Sequence, residues 1–232
     1  MAGCGSRLRG SDQTFLKALV PVAGRPLISY TLEALAAAGV RRIYAVVGFE
    51  SNRLVAAVKK LVKPGIDLHF IENREWQKQN GISVLAAAPH VKPPFFLIMS
   101  DHLFDRTIID RLMGSGDYSQ LNLAIDKKLD AIFDRDDAMK VRIENDRVVA
   151  IGKDLPDYDA IDTGLFVCPT AIFDYLERAK RNGDCSLAEG VRLMATDGKV
   201  RAVDIGDAWW QDVDTPEMLA EADKRLTTPA KS

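Results

Sequence analysis

Gly3-Cys4-Gly5-Ser6-Arg7-Leu8 opens the chain, and Leu16-Lys17-Ala18-Leu19-Val20-Pro21-Val22-Ala23-Gly24-Arg25-Pro26 follows it. Glycines in such a loop let backbone N–H groups approach phosphate oxygens, while Arg7 and Lys17 add positive charge. The order differs from the Walker pattern, which needs Gly-Lys-Ser/Thr, and from the dinucleotide fingerprint, which needs a third glycine. An ordinary surface loop is the competing interpretation. The succession of arginine, lysine and Gly-Arg-Pro turn favours a binding loop for a nucleoside triphosphate.

The composition is that of a globular protein. The 232 residues are 47% hydrophobic and 28% charged, and we expect a single domain over residues 1–232. The formal net charge is −2, so the chain has no excess of basic residues, which argues against nucleic-acid binding. The sequence has no bilayer-spanning apolar run and no signal-peptide layout, and the spacing of its three cysteines fits neither a disulfide framework nor a zinc site. We therefore expect a cytoplasmic protein.

Helical and strand patterns alternate in the first half of the chain. We predict helices over residues 26–38, 51–62 and 82–88, and strands over 42–47, 67–71 and 95–99. This alternation calls for a parallel sheet covered on both faces. The second half is richer in strands. There we predict strands over 121–125, 140–143, 147–151, 161–168 and 201–205, and helices over 170–179, 186–194 and from residue 216 onward.

Three carboxylates stand at positions suited to a metal ion. Asp101 directly follows the apolar residues 95–99, and open α/β sheets place their ligands at the carboxyl ends of strands. Asp212 and Asp214 are two apart, so their side chains point the same way on an extended segment. Mg²⁺ prefers such oxygen ligands, although each aspartate is also a plausible turn residue or helix cap. For the metal we favour Asp101 and Asp214, while His102 either contacts substrate or fills the turn.

Other polar residues indicate a binding site only because the glycine-rich loop and the three aspartates occur in the same chain. Lys78-Gln79-Asn80-Gly81-Ile82-Ser83 precedes a helix, and a glycine flanked by amides can pass close to a flat base. On composition alone this stretch is a plain turn. In the second half, six polar residues would each be surface residues by default: Asp126, Lys140, Lys153, Asp162, Thr163 and Glu189.

Five short stretches carry a resemblance to a known family. They are Met-Ser-Asp-His at 99–102, Lys-Val-Arg-Ile-Glu at 140–144, Ile-Gly-Lys-Asp-Leu at 151–155, Asp-Thr-Gly at 162–164 and Trp-Gln-Asp-Val-Asp-Thr at 210–215. Together with the Lys-x-Asn-Gly-x-Ser element at 78–83, they resemble the CTP:inositol-1-phosphate cytidylyltransferase family nearly end to end. Ala18 after Lys17 departs from the commoner Lys-Pro of that family.

The resemblance implies both a fold and a reaction. The fold is a three-layer α/β, Rossmann-like (GT-A-like) nucleotidyltransferase with a mostly parallel central sheet and a small β appendage. The reaction is transfer of a cytidylyl group from CTP to inositol 1-phosphate with Mg²⁺ as cofactor, giving CDP-inositol and pyrophosphate. Family members are often fused to a membrane-embedded phosphotransferase, so we expect a separate protein to carry out the downstream step. In this family an apolar strand enters the glycine loop. Only Met1-Ala2 represents it here, so we expect two exposed strand edges.

The resemblance also assigns roles to individual residues. Residues 1–119 would be mainly nucleotide-binding, residues 120–225 mainly acceptor-binding, and residues 226–232 a frayed tail. The nucleotide-binding set is Ala2, Gly3, Gly5, Ser6, Arg7, Lys17, Asn80, Gly81, Ser83 and Asp101. The acceptor-binding set is Asp126, Lys140, Lys153, Thr163 and Glu189. The metal ligands are Asp101 and Asp214, and the catalytic set is Arg7, Lys17 and Lys140.

Two alternatives stay open at this point. The same chemistry would act on a sugar 1-phosphate, an aminoalkyl phosphonate or phosphocholine if the acceptor half differs in detail. A second alternative is a non-catalytic, nucleotide-binding regulatory subunit, which an incomplete first strand would fit.

Overall fold

The computed structural model of the protein describes residues 1–3, 8 and 15–228. Its helices are α1 (Leu27–Ala37), α2 (Ser51–Val58), α3 (Asn80–Ala86), α4 (Thr107–Met113), α5 (Ala171–Ala179), α6 (Leu187–Thr196) and α7 (Pro216–Thr227). Its strands are β1 (Pro21–Val22), β2 (Arg25–Pro26), β3 (Arg42–Val47), β4 (Asp67–Glu72), β5 (Phe95–Ile98), β6 (His102–Phe104), β7 (Leu121–Asp126), β8 (Lys140–Glu144), β9 (Arg147–Gly152), β10 (Ala160–Cys168), β11 (Val200–Asp204) and β12 (Trp210–Asp212). The predicted elements are confirmed to within a few residues, whereas β1, β2, β6, α4 and β12 were not predicted.

Six strands form the main sheet, in the spatial order β5, β10, β7, β11, β9, β8. Strand β8 also pairs with β10, so five of the strands close into a ring. Strands β7 and β11 are parallel, and the other described pairs in this sheet are antiparallel. The expected mostly parallel sheet is therefore not confirmed. Strand β10 is buried along nearly its whole length. A continuous apolar run of this kind does not indicate whether the strand is parallel or antiparallel to its neighbours.

Helices cover both faces of this sheet. Along β7, Leu121, Leu123 and Ile125 belong to a core shared with α5 and α6. Ala124 between them belongs to a second core, shared with α4. Successive residues of a strand point to opposite faces, so the two clusters lie on opposite sides of the sheet. The result is the helix–sheet–helix layering expected of a three-layer α/β protein.

A separate parallel pair, β3 with β4, packs against α1 and α2. Between β3 and the edge strand β5 lies a cavity of about 780 Å³, which both strands line. Among the described residues, neither strand pairs with another on the side that faces this cavity. Ala2 lies at one end, where its carbonyl accepts a hydrogen bond from the N–H of Phe49 at 3.0 Å. The expected pair of unpaired strand edges is present.

None of the helices in the described ranges is both long enough and apolar enough to cross a lipid bilayer.

Candidate functional site

Lys17 lies between two carboxylates at the centre of the candidate site. Its ammonium donates to Oδ2 of Asp101 at 2.5 Å and also to Asp214. The three side chains are largely buried, with 14%, 29% and 18% of their surfaces exposed. Two carboxylates that are so little hydrated need a cation between them. The structure therefore gathers one residue from the N-terminal loop and one from each aspartate motif.

The strand pair β6–β12 brings the two aspartate motifs together. Asp212 pairs with His102 in an antiparallel register, and the N–H of Val213 donates to the carbonyl of Asp101 at 2.9 Å. This pairing places Asp214 beside Lys17, whereas Asp212 lies opposite His102. Thr215 also caps α7 by accepting from the N–H of Met218, so the capping role falls to the threonine and not to Asp214.

His102 holds the second oxygen of the Asp101 carboxylate. Its Nδ1 lies 2.9 Å from Oδ1 of Asp101, and its ring stacks on Trp210 with centroids 5.8 Å apart. Burial raises the pKa of Asp101, but the hydrogen bond and charge of His102 and those of Lys17 outweigh burial and hold that pKa well below its usual value. Burial lowers the pKa of His102, but Asp101, with a further contribution from Asp212, outweighs it and raises that pKa. The site is thus a network of alternating charges.

The residues predicted to bind nucleotide line the 780 Å³ cavity in large part. Six of them do so: Ala2, Gly3, Lys17, Asn80, Ser83 and Asp101. Gly81 instead packs against the backbone of Cys185, where an added Cβ would lie 2.5 Å from the carbonyl oxygen. Gly5, Ser6 and Arg7 lie outside the described residues.

A second cavity of about 440 Å³ opens on the other side of Asp101. Its lining includes Asp101, Asp214, Asp126, Lys153 and Asn80. Strands β5 and β7 are both antiparallel to β10, so they run in the same direction. Their carboxyl ends, which carry Asp101 and Asp126, consequently meet at one edge of the sheet. Asn80 and Asp101 line both cavities, so the two cavities adjoin at the carboxylate site.

Three predicted acceptor residues are held by internal contacts. The hydroxyl of Thr163 is fully buried and donates to the carbonyl of Ala124 at 2.8 Å. Glu189 closes the capping box of α6, accepting from the backbone N–H of Ser186 at 2.7 Å. Lys140 donates to the carbonyl of Lys153 at 2.6 Å and does not line the second cavity. These placements favour structural roles for all three side chains.

Two groups that line the second cavity are absent from the predicted acceptor-binding set: Lys128, which the sequence analysis did not single out, and Asp162, which it named without assigning a role. Lys128 lies 2.9 Å from Asp126 and also donates to the carbonyl of Gly206 at 2.5 Å. Asp162 is partly exposed, and the burial of its carboxyl group raises its pKa to about 6, although the N–H of Gly164 opposes this shift. The position of Lys128 just beyond the buried strand β7 was a usable signal. No local pattern marks the burial of Asp162.

The carboxylate pair fits a magnesium ion that is shared with a phosphate substrate. Within residues 1–3, 8 and 15–228 there is no cluster of three or more metal-ligating side chains. Mg²⁺ is commonly held by one or two carboxylates together with substrate phosphates and water. Asp101 and Asp214 already share one cation, the ammonium of Lys17, so their oxygens stand close enough to share another.

Comparison with known proteins fits this geometry. Residues 1–132 match the MobA-like NTP transferase domain. The chain belongs to this family. It is 32% identical over 98% of its length to the bifunctional IPC transferase and DIPP synthase of Aquifex aeolicus, of which it covers 51%. It is 35% identical over 94% of its length to the protein of the same name from Rubrobacter xylanophilus, of which it covers 49%. The chain therefore spans about half the length of these curated relatives.

A solved structure resembles the fold of the whole chain. It is the inositol-1-phosphate CTP transferase from T. maritima, with a TM-score of 0.85 and 27% sequence identity. The alignment covers 100% of this chain and 95% of that chain. The split into a β3–β4 pair and a partly antiparallel main sheet is thus compatible with a nucleotidyltransferase fold.

Proposed function

We propose that this protein transfers a cytidylyl group from CTP to inositol 1-phosphate, giving CDP-inositol and pyrophosphate. The observation that carries the proposal is the meeting of two cavities at Asp101, beside Lys17 and Asp214. One cavity carries most of the described nucleotide-binding set, and the other is lined by carboxylates, two lysines and aromatic rings. The choice of CTP and inositol 1-phosphate rests on the named relatives and on the motifs at residues 151–155 and 162–164.

The phosphate of the acceptor is the nucleophile. It is already anionic at neutral pH, so the reaction needs no general base, and its oxygen attacks the α-phosphorus of CTP while pyrophosphate leaves. The difficulty is charge, because two anions must approach each other. Catalysis therefore depends on fixed positive groups and on in-line positioning. Lys17 supplies one such group. Arg7 is proposed to supply another, which would hold the β- and γ-phosphates.

Asp101 and Asp214 are the residues that would hold Mg²⁺, which would supply positive charge to the phosphate oxygens at the junction of the cavities. The ammonium of Lys17 lies between these carboxylates. If a metal ion were held there, the ammonium would be free to face the α-phosphate of CTP. The residues of this chain thus act by orienting and neutralising phosphate groups.

The second cavity suits a hydroxyl-rich phosphate. Asp126 and Asp162 offer acceptors for hydroxyl groups, and Lys153 offers a cation. Trp210 adds an apolar ring face to the same wall. A cyclitol phosphate needs this combination of one cation and several hydroxyl partners. We also propose that the protein works in the cytoplasm and that a membrane phosphotransferase consumes its CDP-inositol.

The test is a matrix of nucleotides and acceptors, scored by pyrophosphate release. CTP with inositol 1-phosphate should give the highest kcat/KM, and the reaction should stop in EDTA and recover with Mg²⁺. The other acceptors are glucose 1-phosphate, aminoethylphosphonate and phosphocholine. A higher kcat/KM with one of them would change the proposed acceptor but not the proposed nucleotidyl transfer. Absence of pyrophosphate release in every combination would favour the regulatory-subunit alternative.

A further inference from the structure

We propose that His102 is a positioning residue, whose imidazole fixes the orientation of the Asp101 carboxylate so that one carboxylate oxygen faces the cation site. The inference rests on the proposed nucleotidyl transfer and deepens it, because it assigns His102 a role that acts through Asp101.

The two oxygens of Asp101 have separate partners. Oδ2 accepts from Lys17 at 2.5 Å, and Oδ1 lies 2.9 Å from Nδ1 of His102. A carboxylate only accepts hydrogen bonds, so Nδ1 carries the proton in this contact. Rotation of the carboxylate about its last bond would break the His102 contact. Oδ2 therefore stays directed at the cation site, whether Lys17 or another cation occupies it.

Separate contacts hold the main chain and the ring of His102 in place. Its main chain is fixed opposite Asp212 by the β6–β12 register. Its ring stacks on Trp210 at an interplanar angle of 15°. The indole N–H of Trp210 donates to Oδ2 of Asp126 at 3.0 Å. A continuous set of contacts thus joins Asp126, in the wall of the second cavity, to the carboxylate of Asp101.

Gly164 provides the space for the imidazole. Its φ is +74°, and an added Cβ would lie 2.6 Å from Nε2 and 2.7 Å from Cδ2 of His102. A side chain there is therefore excluded both by backbone conformation and by the ring. Nε2 of His102 faces this backbone, while Nδ1 is engaged by Asp101. The ring of His102 thus requires a glycine at position 164, which accounts for the glycine of the Asp-Thr-Gly motif within β10.

The experiment compares His102→Leu with His102→Asn. Asparagine can place an N–H near the position of Nδ1, whereas leucine keeps bulk and removes the donor. A support for a metal ligand typically contributes about tenfold to a hundredfold to metal affinity or activity. We expect His102→Leu to weaken Mn²⁺ binding to the CTP complex by about that factor, measured by electron paramagnetic resonance without acceptor. His102→Asn should restore most of the loss.

Kinetics provide a second readout and controls separate the causes. In His102→Leu, kcat should fall while the KM for CTP changes little, and added Mg²⁺ should recover part of the rate. Gly164→Ala should act in the same direction because it displaces the ring. His69→Asn, at a half-exposed histidine on β4, is the matched control and should leave Mn²⁺ binding unchanged.

Two results would overturn the inference. One is unchanged Mn²⁺ binding in His102→Leu, and the other is an equal loss in the leucine and asparagine variants at equal thermal stability. If wild-type protein releases no pyrophosphate from CTP and inositol 1-phosphate, the proposed function fails. The Mn²⁺ comparison still decides the role of His102, because it needs no turnover.

Discussion

The ammonium of Lys17 lies 2.5 Å from Oδ2 of Asp101, although 84 residues separate them in the chain. In the structure this lysine neutralises the carboxylates of Asp101 and Asp214. Under the proposed function, its charge would turn to phosphate when nucleotide binds. Together with His102, this lysine holds the pKa of the partly buried Asp101 well below its ordinary value at the junction of the cavities.

Lys17→Ala should lower kcat by about a hundredfold or more, as loss of a fixed positive group does at a developing charge. It should also lower the thermal midpoint of the metal-free protein, because Asp101 and Asp214 then repel each other. Mg²⁺ should raise the midpoint more in the variant than in the wild type. Differential scanning fluorimetry with and without Mg²⁺ measures this. Near-normal turnover in Lys17→Ala would remove the lysine from the mechanism.

Asp101→Asn and Asp214→Asn should each abolish metal-dependent pyrophosphate release, since an amide is a poor substitute for an anionic ligand. Asp212→Asn is the matched control two residues away, and its loss should be smaller because Asp212 lies opposite His102. Metal titration of the rate measures all three variants. A greater loss in Asp212→Asn than in Asp214→Asn would exchange their assignments, and full activity in EDTA would refute the metal site.

The sequence patterns predict elements whose signal is local. The strand over 42–47 and the helix before Gly39 follow from apolar spacing and a glycine stop, and both are observed. Strands β6 and β12 have three residues each, and they form only because they pair with each other. The direction of β10 is likewise set by its neighbours. The hydroxyl of Thr163 is suited to bind an acceptor substrate. The sequence does not show that this hydroxyl already donates to the carbonyl of Ala124.

Asp162 should make stability depend on pH. Burial raises its pKa in the folded protein to about 6, above the ordinary value of 3.8. The folded state therefore holds the proton more tightly, and this group's contribution to stability is lost as pH rises from about 4 through 6. Asp162→Asn keeps an oxygen to accept from the N–H of Gly164 and stays neutral. The variant should gain about 1–3 kcal/mol relative to wild type between pH 4 and pH 8.

Urea unfolding at several pH values measures this gain. Asp157→Asn, at an exposed aspartate nearby, should give a difference from wild type that is independent of pH. Parallel pH profiles for Asp162→Asn and wild type would show that Asp162 is ionised in the folded protein at ordinary pH.

The cavity between β3 and β5 should accept an added strand. Polypeptide joined to Met1 would enter it alongside β3, since Ala2 already accepts from the N–H of Phe49. Six valine and isoleucine residues placed before Met1 should raise the thermal midpoint by about 5 °C or more, because each kcal/mol shifts the midpoint of a domain of this size by about 2–4 °C. The same extension with a central proline is the control, since proline cannot complete the ladder. Equal midpoints would mean that the cavity does not bind a strand.

Acceptor selection should depend on Lys153 more than on Lys140. Lys153 lines the second cavity and pairs with Asp137, whereas the ammonium of Lys140 donates to the backbone carbonyls of Asp136 and Lys153. Lys153→Ala should therefore raise the KM for inositol 1-phosphate about tenfold and leave the KM for CTP nearly unchanged. Lys140→Ala should raise it less, by loosening the segment that carries Lys153.

The hydroxyl partners should add discrimination between acceptors. A site with buried polar groups rejects substrates that leave those groups unpaired. Asp126 and Asp162 line the second cavity, so an acceptor without ring hydroxyls offers these carboxylates no hydroxyl group to accept from. Inositol 1-phosphate should exceed aminoethylphosphonate and phosphocholine in kcat/KM with CTP. A clear preference for either amine would mean that Asp126 and Asp162 bind an ammonium group of the acceptor. The proposed cytidylyl transfer would not be affected.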